Sequence, residues 1–284
     1  MALKSHLVAA AVLSASAVAS LASANFTASA AGPINSDGPI GSAGNGSFSA
    51  TYTGPNTIFG NVQFSGTVTS GGGGSFLSEA RWNIKNLGTG AASAIQPFTS
   101  GGTWSGSQSA TVNRSLFLWA SSGSQFSFEA YESFNDGGVD AIWTDVSFTF
   151  SSANITNLGF FEPGDLIFST GGSSFDTEIA LYSAAGTLIG TNDDFGGTLQ
   201  SQITANLAAG EYYVIVGGFN SVFNNGAASA GTAAGNYALS VNGNAAASGS
   251  LAAGNFASFS FTVPAPGALA LLGAGVLVGR RRRG

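Results

Sequence analysis

The sequence predicts an all-β protein, with two antiparallel β-sandwich or jelly-roll domains between an N-terminal signal peptide and a short C-terminal apolar sorting helix. Apolar residues recur at every second position, and Gly-rich or Asx-rich turns separate the runs at intervals of about 8 to 12 residues. The chain also contains 22 Phe, four Trp and six Tyr, which supply enough apolar area for a core. Since the repeat is two, no helix is predicted between Asn25 and Pro264.

The first 24 residues predict a signal peptide. An apolar stretch, Leu7–Leu21, follows a weakly basic start, and Ala22-Ser23-Ala24 offers the small residues that a signal peptidase reads. Cleavage after Ala24 would export the chain. Residues 25–46 are rich in Gly, Ser, Pro and Ala, and this composition predicts a flexible lead-in.

Residues 47–151 predict a first sandwich, of no assigned family. Its strand candidates are SFSATY, FGNVQFSGTVT, ARWNIKN, SLFLWA, FSFEAYESF and AIWTDVSFTF. In the last run, Ile142, Val146, Phe148 and Phe150 share one parity, so all four are predicted to face the core.

Residues 152–262 predict a second sandwich. Its strand candidates are ITNLGFF, GDLIFST, TEIALYS, GTLIGT, SQITANL, EYYVIVGGF, GNYALSVN and FASFSFTV. The segment Tyr212–Val216 is apolar on both parities, which is typical of a central strand.

Three segments of the second half carry a family resemblance: DTEIALYSAAGTLIGTNDDFGG, LQSQITANLAAGEYYVIVGGFN and GNYALSVNG. On these segments, residues 152–245 resemble the bacterial pre-peptidase C-terminal domain, a jelly-roll sandwich of exported proteins. The resemblance implies a binding or stabilising role rather than catalysis.

The chain ends in VPAPGALALLGAGVLVGRRRRG. As a helix, Val263–Gly279 would rise only about 25 Å against a hydrocarbon core of about 30 Å, which is marginal for a permanent span. The tail resembles the PEP-CTERM sorting signal of Gram-negative bacteria, with Ala265 where that family has glutamate. The resemblance is carried by Val263, Pro264, Pro266, the apolar run Gly267–Gly279, and Arg280, Arg281, Arg282 and Arg283. It implies transient anchoring and processing by an exosortase-type enzyme at the cell surface.

Charge limits the choice of partners. Between the predicted signal peptide and the tail there are three basic residues, Arg81, Lys85 and Arg114, against 14 acidic ones, a net charge of −11. Nucleic acids and anionic lipids bind to basic patches on proteins, so this composition argues against nucleic-acid binding.

The predicted function is that of an exported protein with a structural or adhesive role in the envelope or in extracellular polysaccharide.

Catalytic residues are few. After His6 the chain has no His, and it has no Cys at all, which excludes Ser-His-Asp and Cys-His nucleophiles and imidazole-ligated zinc. The protein is therefore predicted not to be an enzyme. A carboxylate glycoside hydrolase stays a further alternative, since such enzymes need only two carboxyl groups across a sugar cleft. Its candidate carboxylates are Glu129, Glu132, Asp136, Asp140 and Asp145.

Two binding sites are predicted. Asp176, Asn192, Asp193 and Asp194 would offer hard oxygen ligands for calcium if the start of TEIALYS and the turn after GTLIGT meet; a turn without metal is the open alternative. Trp104 is flanked by small polar residues and is predicted to be an exposed platform for a sugar ring, which would make the chain a carbohydrate-binding module. Trp82 and Trp119 are predicted to be core residues.

Overall fold

The computed structural model describes residues 24–71, 76–98, 100–134 and 138–265. Within these ranges the chain forms 20 β-strands and one 3₁₀ turn, Leu77–Glu79, so the all-β prediction is confirmed. No helix in these ranges has both the length and the hydropathy of a bilayer-crossing segment. Two predicted features lie outside the described residues. They are the signal peptide up to Ser23 and, in the tail, Pro266 and the cluster Arg280–Arg283.

The strands are numbered in chain order. The first nine are β1 (Asn25–Ala30), β2 (Ile34–Ser36), β3 (Ser47–Thr51), β4 (Thr57–Ser70), β5 (Ala80–Asn86), β6 (Ala92–Ile95), β7 (Ser107–Ala120), β8 (Gln125–Glu132) and β9 (Ala141–Ser152). The others are β10 (Thr156–Phe160), β11 (Gly164–Ser169), β12 (Thr177–Ser183), β13 (Leu188–Asn192), β14 (Gln202–Leu207), β15 (Gly210–Gly218), β16 (Val222–Asn224), β17 (Ala227–Ser229), β18 (Gly235–Val241), β19 (Asn244–Leu251) and β20 (Ala257–Val263).

The first sandwich packs a seven-stranded sheet on a four-stranded sheet. The larger sheet has the order β1-β9-β4-β7-β17-β16, with β2 also paired to β9, and the smaller has the order β3-β8-β5-β6. Their inward faces form an aromatic core in which Phe64, Trp82, Trp143 and Phe148 pack with ring centroids 5.1 to 6.2 Å apart. Trp82 is fully buried, as predicted.

The second sandwich packs a five-stranded sheet, β10-β20-β15-β12-β13, on a four-stranded sheet, β14-β11-β18-β19. Its ladders are antiparallel except for β10, which runs parallel to β20. Strand β15 lies in the middle of its sheet, between β20 and β12, which confirms the prediction of a central strand over Tyr212–Val216.

A third apolar cluster joins the two sandwiches. This junction cluster consists of Ile58, Phe117, Trp119, Ala180, Tyr182, Tyr213, Ile215 and Ala228. It lies between the outer faces of the seven-stranded and five-stranded sheets, which explains why SLFLWA and EYYVIV are apolar on both parities. The hairpin β16–β17 comes from the second half of the chain but pairs with β7 of the first sandwich, so it crosses the predicted domain boundary.

The flexible lead-in predicted for residues 25–46 is wrong for Asn25–Ser36. Strand β1 pairs with β9 along its whole length, and β2 pairs with the start of β9. Phe26 stacks on Phe150 with ring centroids 5.6 Å apart, and Ala28 is buried. The prediction failed because the inward residues after Phe26 are alanines, whose small side chains give a weak alternation signal.

A β-bulge at Asp145 corrects the predicted core face of β9. Asp145 has a φ of 52°, and the pairing of β4 with β9 shifts register at this point. The bulge moves the inward face by one residue. Trp143 is therefore buried before the bulge and Val146 after it, and the predicted inward position of Ile142 is wrong.

Candidate metal centre

The hairpin β12–β13 brings acidic residues together at one end of the second sandwich. Asp176 immediately precedes β12, whereas Asp193 and Asp194 immediately follow β13. The strands are antiparallel, with Ile179 opposite Asn192, so the start of β12 and the end of β13 lie side by side. The condition on which the predicted calcium ligands depend, that these two segments meet, is therefore fulfilled.

Three carboxylates converge there. Asp176, Asp193 and Asp194 each place a carboxylate oxygen within 4.8 Å of the others. Oδ1 of Asp176 is buried, and no donor in the described part of the chain reaches it. Burial raises the pKa of Asp176, and the charges of Asp193 and Asp194 raise it further. Burial, followed by the charge of Asp194, likewise raises the pKa of Asp193.

Backbone hydrogen bonds hold the two acidic segments in place. The amide of Phe219 donates to the carbonyl of Asp176 at 3.1 Å, and the amide of Thr177 donates to the carbonyl of Leu199 at 3.0 Å. The buried hydroxyl of Ser201 contacts the carbonyl oxygens of Thr177 and Asp193. The carboxylates are thus presented by a fixed frame.

The side chain of Asn192, the fourth predicted ligand, makes two hydrogen bonds. Its Oδ1 accepts a hydrogen bond from the Gln202 amide at 2.8 Å, and its Nδ2 donates to the Asp194 carbonyl at 3.2 Å. The side chain therefore closes the turn after β13. Of the four predicted ligands, the structure brings together the three aspartates.

Glu178 is a fourth acidic group that sequence reasoning did not identify. It is only 7% exposed, and its Oε1 accepts a hydrogen bond from the Asn220 amide at 2.8 Å. Burial raises its pKa to about 7, with smaller contributions from Asp193 and Asp176. A cavity of about 260 Å³ lies beside it and also touches Asp193 and Val222. The sequence signal that could have identified Glu178 is that it is a charged residue next to the apolar residues of the predicted strand TEIALYS.

The described part of the second sandwich offers these carboxylates no cationic partner. Residues 152–265 contain no Lys, Arg or His. Arg81, Lys85 and Arg114 all lie on β5 and β7 of the first sandwich. Carboxylates held this close, with no Lys, Arg or His in residues 152–265, form the hard-oxygen donor set that divalent cations such as calcium and magnesium prefer.

Trp104 is not the exposed platform that its small polar neighbours predict. The side chain is partly buried against the core of the first sandwich, and its indole nitrogen is inaccessible to solvent. Its neighbour Thr103 forms a β-bridge with Phe76, which draws this segment onto the sandwich. Stacking on a sugar needs an open ring face, so the carbohydrate-binding alternative loses its candidate residue.

Glu129 and Glu132, two of the carboxylates considered for glycoside hydrolysis, have structural partners. Glu129 accepts hydrogen bonds through Oε1 from the Gly41 amide at 2.5 Å and from Asn45 Nδ2 at 3.0 Å. Glu132 accepts one from Ser36 Oγ at 2.6 Å and is buried, as is Asp140. Glu129 therefore fastens the segment after β2 to β8, and Glu132 fastens the end of β2 to β8.

No protein-family model matches the chain, and no curated protein matches it significantly. The resemblances to the PEP-CTERM signal and to the pre-peptidase C-terminal domain therefore rest on the quoted residues alone.

Proposed function

We propose that the chain is an exported cell-surface or extracellular-matrix protein with a structural or adhesive role, and that calcium stabilises its second sandwich at Asp176, Asp193 and Asp194. The observation that carries the calcium site is the convergence of three carboxylates within residues 152–265, a stretch without Lys, Arg or His. The chain has no cysteine, so a bound cation takes the stabilising place that disulfides have in many exported domains.

The residue inventory supports a role without catalysis. The part of the sequence after His6 lacks the imidazole and thiol groups of the common nucleophilic mechanisms. Among the acidic groups of the first sandwich, Glu129 holds the loop after β2, and Glu132 accepts a hydrogen bond from Ser36 at the end of β2. In this proposal the partners are signal peptidase, an exosortase-type enzyme and extracellular polysaccharide.

Removing divalent cations should lower the melting temperature of the full chain. A ligand that binds only the native state stabilises it by mass action, by about 2.7 kcal/mol when its free concentration is 100 times its Kd. Calorimetry in chelator, and then in excess calcium, measures this difference. A melting curve that neither treatment changes would contradict the calcium site.

Asp193→Asn separates calcium binding from charge repulsion. Without calcium the variant should be at least as stable as the wild type, because Asp193 no longer repels Asp176 and Asp194; with calcium it should lose most of the added stability. Asp145→Asn is the matched control, since Asp145 is exposed in the first sandwich and asparagine tolerates its positive φ. An undiminished calcium response in Asp193→Asn would overturn the assignment.

The tail is proposed to be processed at the edge of the second sandwich. Val263 is the last residue of β20, is buried and pairs with Gly210. Cleavage on the C-terminal side of Val263 would keep the whole β20 ladder, whereas an earlier cut would remove part of it. This geometry is compatible with a mature chain that ends at Val263 or Pro264.

Intact mass spectrometry of the protein recovered from the surface of its native host tests the processing. We expect a chain that begins at Asn25 and ends at Val263 or Pro264. A chain that still carries Arg280–Arg283 would show that the tail is a stable anchor and would refute the sorting proposal.

A further inference from the structure

A cleft of about 600 Å³ opens between the two sandwiches, at the point where the chain leaves β20. The first sandwich contributes one wall, the second contributes the other, and the first residues of the tail form part of the lining. Its surface is made mainly of small or apolar groups, among them Trp119, Ala120, Ala185, Ala209, Gly210 and Pro264.

Several polar side chains of this cleft already have hydrogen-bond partners. The Nδ2 of Asn86 donates a hydrogen bond to the Trp119 carbonyl, and its Oδ1 accepts hydrogen bonds from the amides of Gly88 and Thr89. The hydroxyls of Ser121 and Ser124 lie 3.3 Å apart. The Tyr213 hydroxyl donates to Glu211 at 3.2 Å. A sugar needs several free donors and acceptors to fix its orientation, whereas a chain of small apolar residues does not.

We infer that the cleft binds the chain's own C-terminal segment, residues 266–279. Ala265, the residue before this segment, already lines the cleft, so the segment starts at the site. After Pro266 it contains only Gly, Ala, Leu and Val. Fully extended, its 14 residues reach about 46 Å, more than a cleft of this size requires. The tether also gives the segment a millimolar effective concentration, so weak contacts suffice.

Charge complementarity favours the same occupant. The four arginines Arg280–Arg283 follow the segment directly, and the body that they would approach carries a net charge of −11. Glu211 is part of the cleft lining. The field of the body therefore attracts the end of the tail.

Docking would shield the apolar run from water and cover the peptide bonds after Val263, where processing is proposed. If the tail is a sorting signal, processing would then wait until a bilayer draws the tail out of the cleft. That consequence rests on the proposed function, whereas the docking itself does not.

Disulfide trapping in the full chain tests the docking, because the wild type has no cysteine. Ala185→Cys places a thiol on an exposed turn of the cleft wall, and Ala270→Cys places one in the tail. The matched control keeps both cysteines but replaces Leu269, Leu271 and Leu272 by serine, so the tether is the same and only the apolar side chains differ. We expect the intramolecular disulfide to form at least tenfold faster with the leucines present.

A second pair, Ser248→Cys with Ala270→Cys, reports on contact outside the cleft, since Ser248 is exposed on β19. For this pair the leucine and serine tails should react at the same rate. Three results would each overturn the inference. With Ala185→Cys, the leucine and serine tails could react at equal rates; with Ser248→Cys, the leucine tail could gain as much rate as it does with Ala185→Cys; or the disulfides could be mainly intermolecular. These rates are measured on purified protein, so they do not depend on whether the tail is processed in the host.

Discussion

Replacing Trp119 by alanine should destabilise the protein by about 3 to 5 kcal/mol, the usual cost of removing a buried Trp or Phe side chain. Trp119 is only 8% exposed, and its ring centroid lies 4.8 Å from that of Tyr182 and 5.6 Å from that of Phe117. Gly186 lies directly against the indole, because a Cβ added there would come within 2.8 Å of it. Neighbours this closely fixed cannot readily fill the space that the indole leaves.

Calorimetry distinguishes loss of the junction from general destabilisation. Trp119 belongs to the apolar cluster that joins the sandwiches, so we expect the wild type to unfold in one transition and Trp119→Ala in two. Trp119→Phe keeps an aromatic ring and should lose less stability. Phe160→Ala is the control, since Phe160 is 71% exposed, and it should change the stability by less than about 0.5 kcal/mol. A single, unshifted transition in Trp119→Ala would contradict the role of the junction cluster.

Large alternating side chains allowed most strands to be predicted from the sequence. The runs ARWNIKN and TEIALYS match β5 and β12 residue for residue. Strands made of small residues were missed: β19, with the sequence NAAASGSL, is mostly exposed, and Val112 is the one large apolar residue in the first half of β7. Alanine and serine alternate without a strong difference in hydrophobicity, so only their pairing partners reveal them as strands.

Contacts between distant segments account for what the sequence could not predict at the candidate site. The convergence of Asp176 with Asp193 and Asp194 follows from one local hairpin and was therefore predictable. The amide that donates a hydrogen bond to Asn192 Oδ1 belongs to Gln202, the first residue of β14. The burial of Glu178 depends in part on the segment that enters hairpin β16–β17, which crosses to the other sandwich.

Glu132 should make the stability of the first sandwich depend strongly on pH. Its side chain is 1% exposed and accepts a hydrogen bond from Ser36 Oγ. Burial raises its pKa from 4.5 to about 8; the charges of Asp140 and Glu79 add to the rise, whereas Ser36 and Arg81 oppose it. The native protein therefore keeps this carboxyl protonated up to about pH 8, while the unfolded chain releases the proton near pH 4.5.

The sign of the effect follows from which state binds the proton. Between about pH 4.5 and pH 8 the native state binds it and the unfolded state does not, so stability falls as the pH rises. The protonated carboxyl contributes fully below the unfolded pKa. A shift of this size corresponds to a loss on the order of 5 kcal/mol by the time the pH has passed the folded pKa.

Glu132→Gln should remove this loss, because glutamine has nearly the same shape, still accepts the Ser36 hydrogen bond and does not ionise. In chemical denaturation the variant should match the wild type near pH 4 and exceed it by several kcal/mol near pH 9. Glu162→Gln is the matched control, since it makes the same chemical change at an exposed residue, where substitutions usually change the stability by less than about 0.5 kcal/mol. Because each variant is compared with the wild type at the same pH, the contributions of the other titrating groups to the stability, Glu178 included, cancel. If the advantage of Glu132→Gln does not grow between pH 4 and pH 9, the carboxyl is not held protonated in the native fold, and its burial costs far less than its surroundings imply.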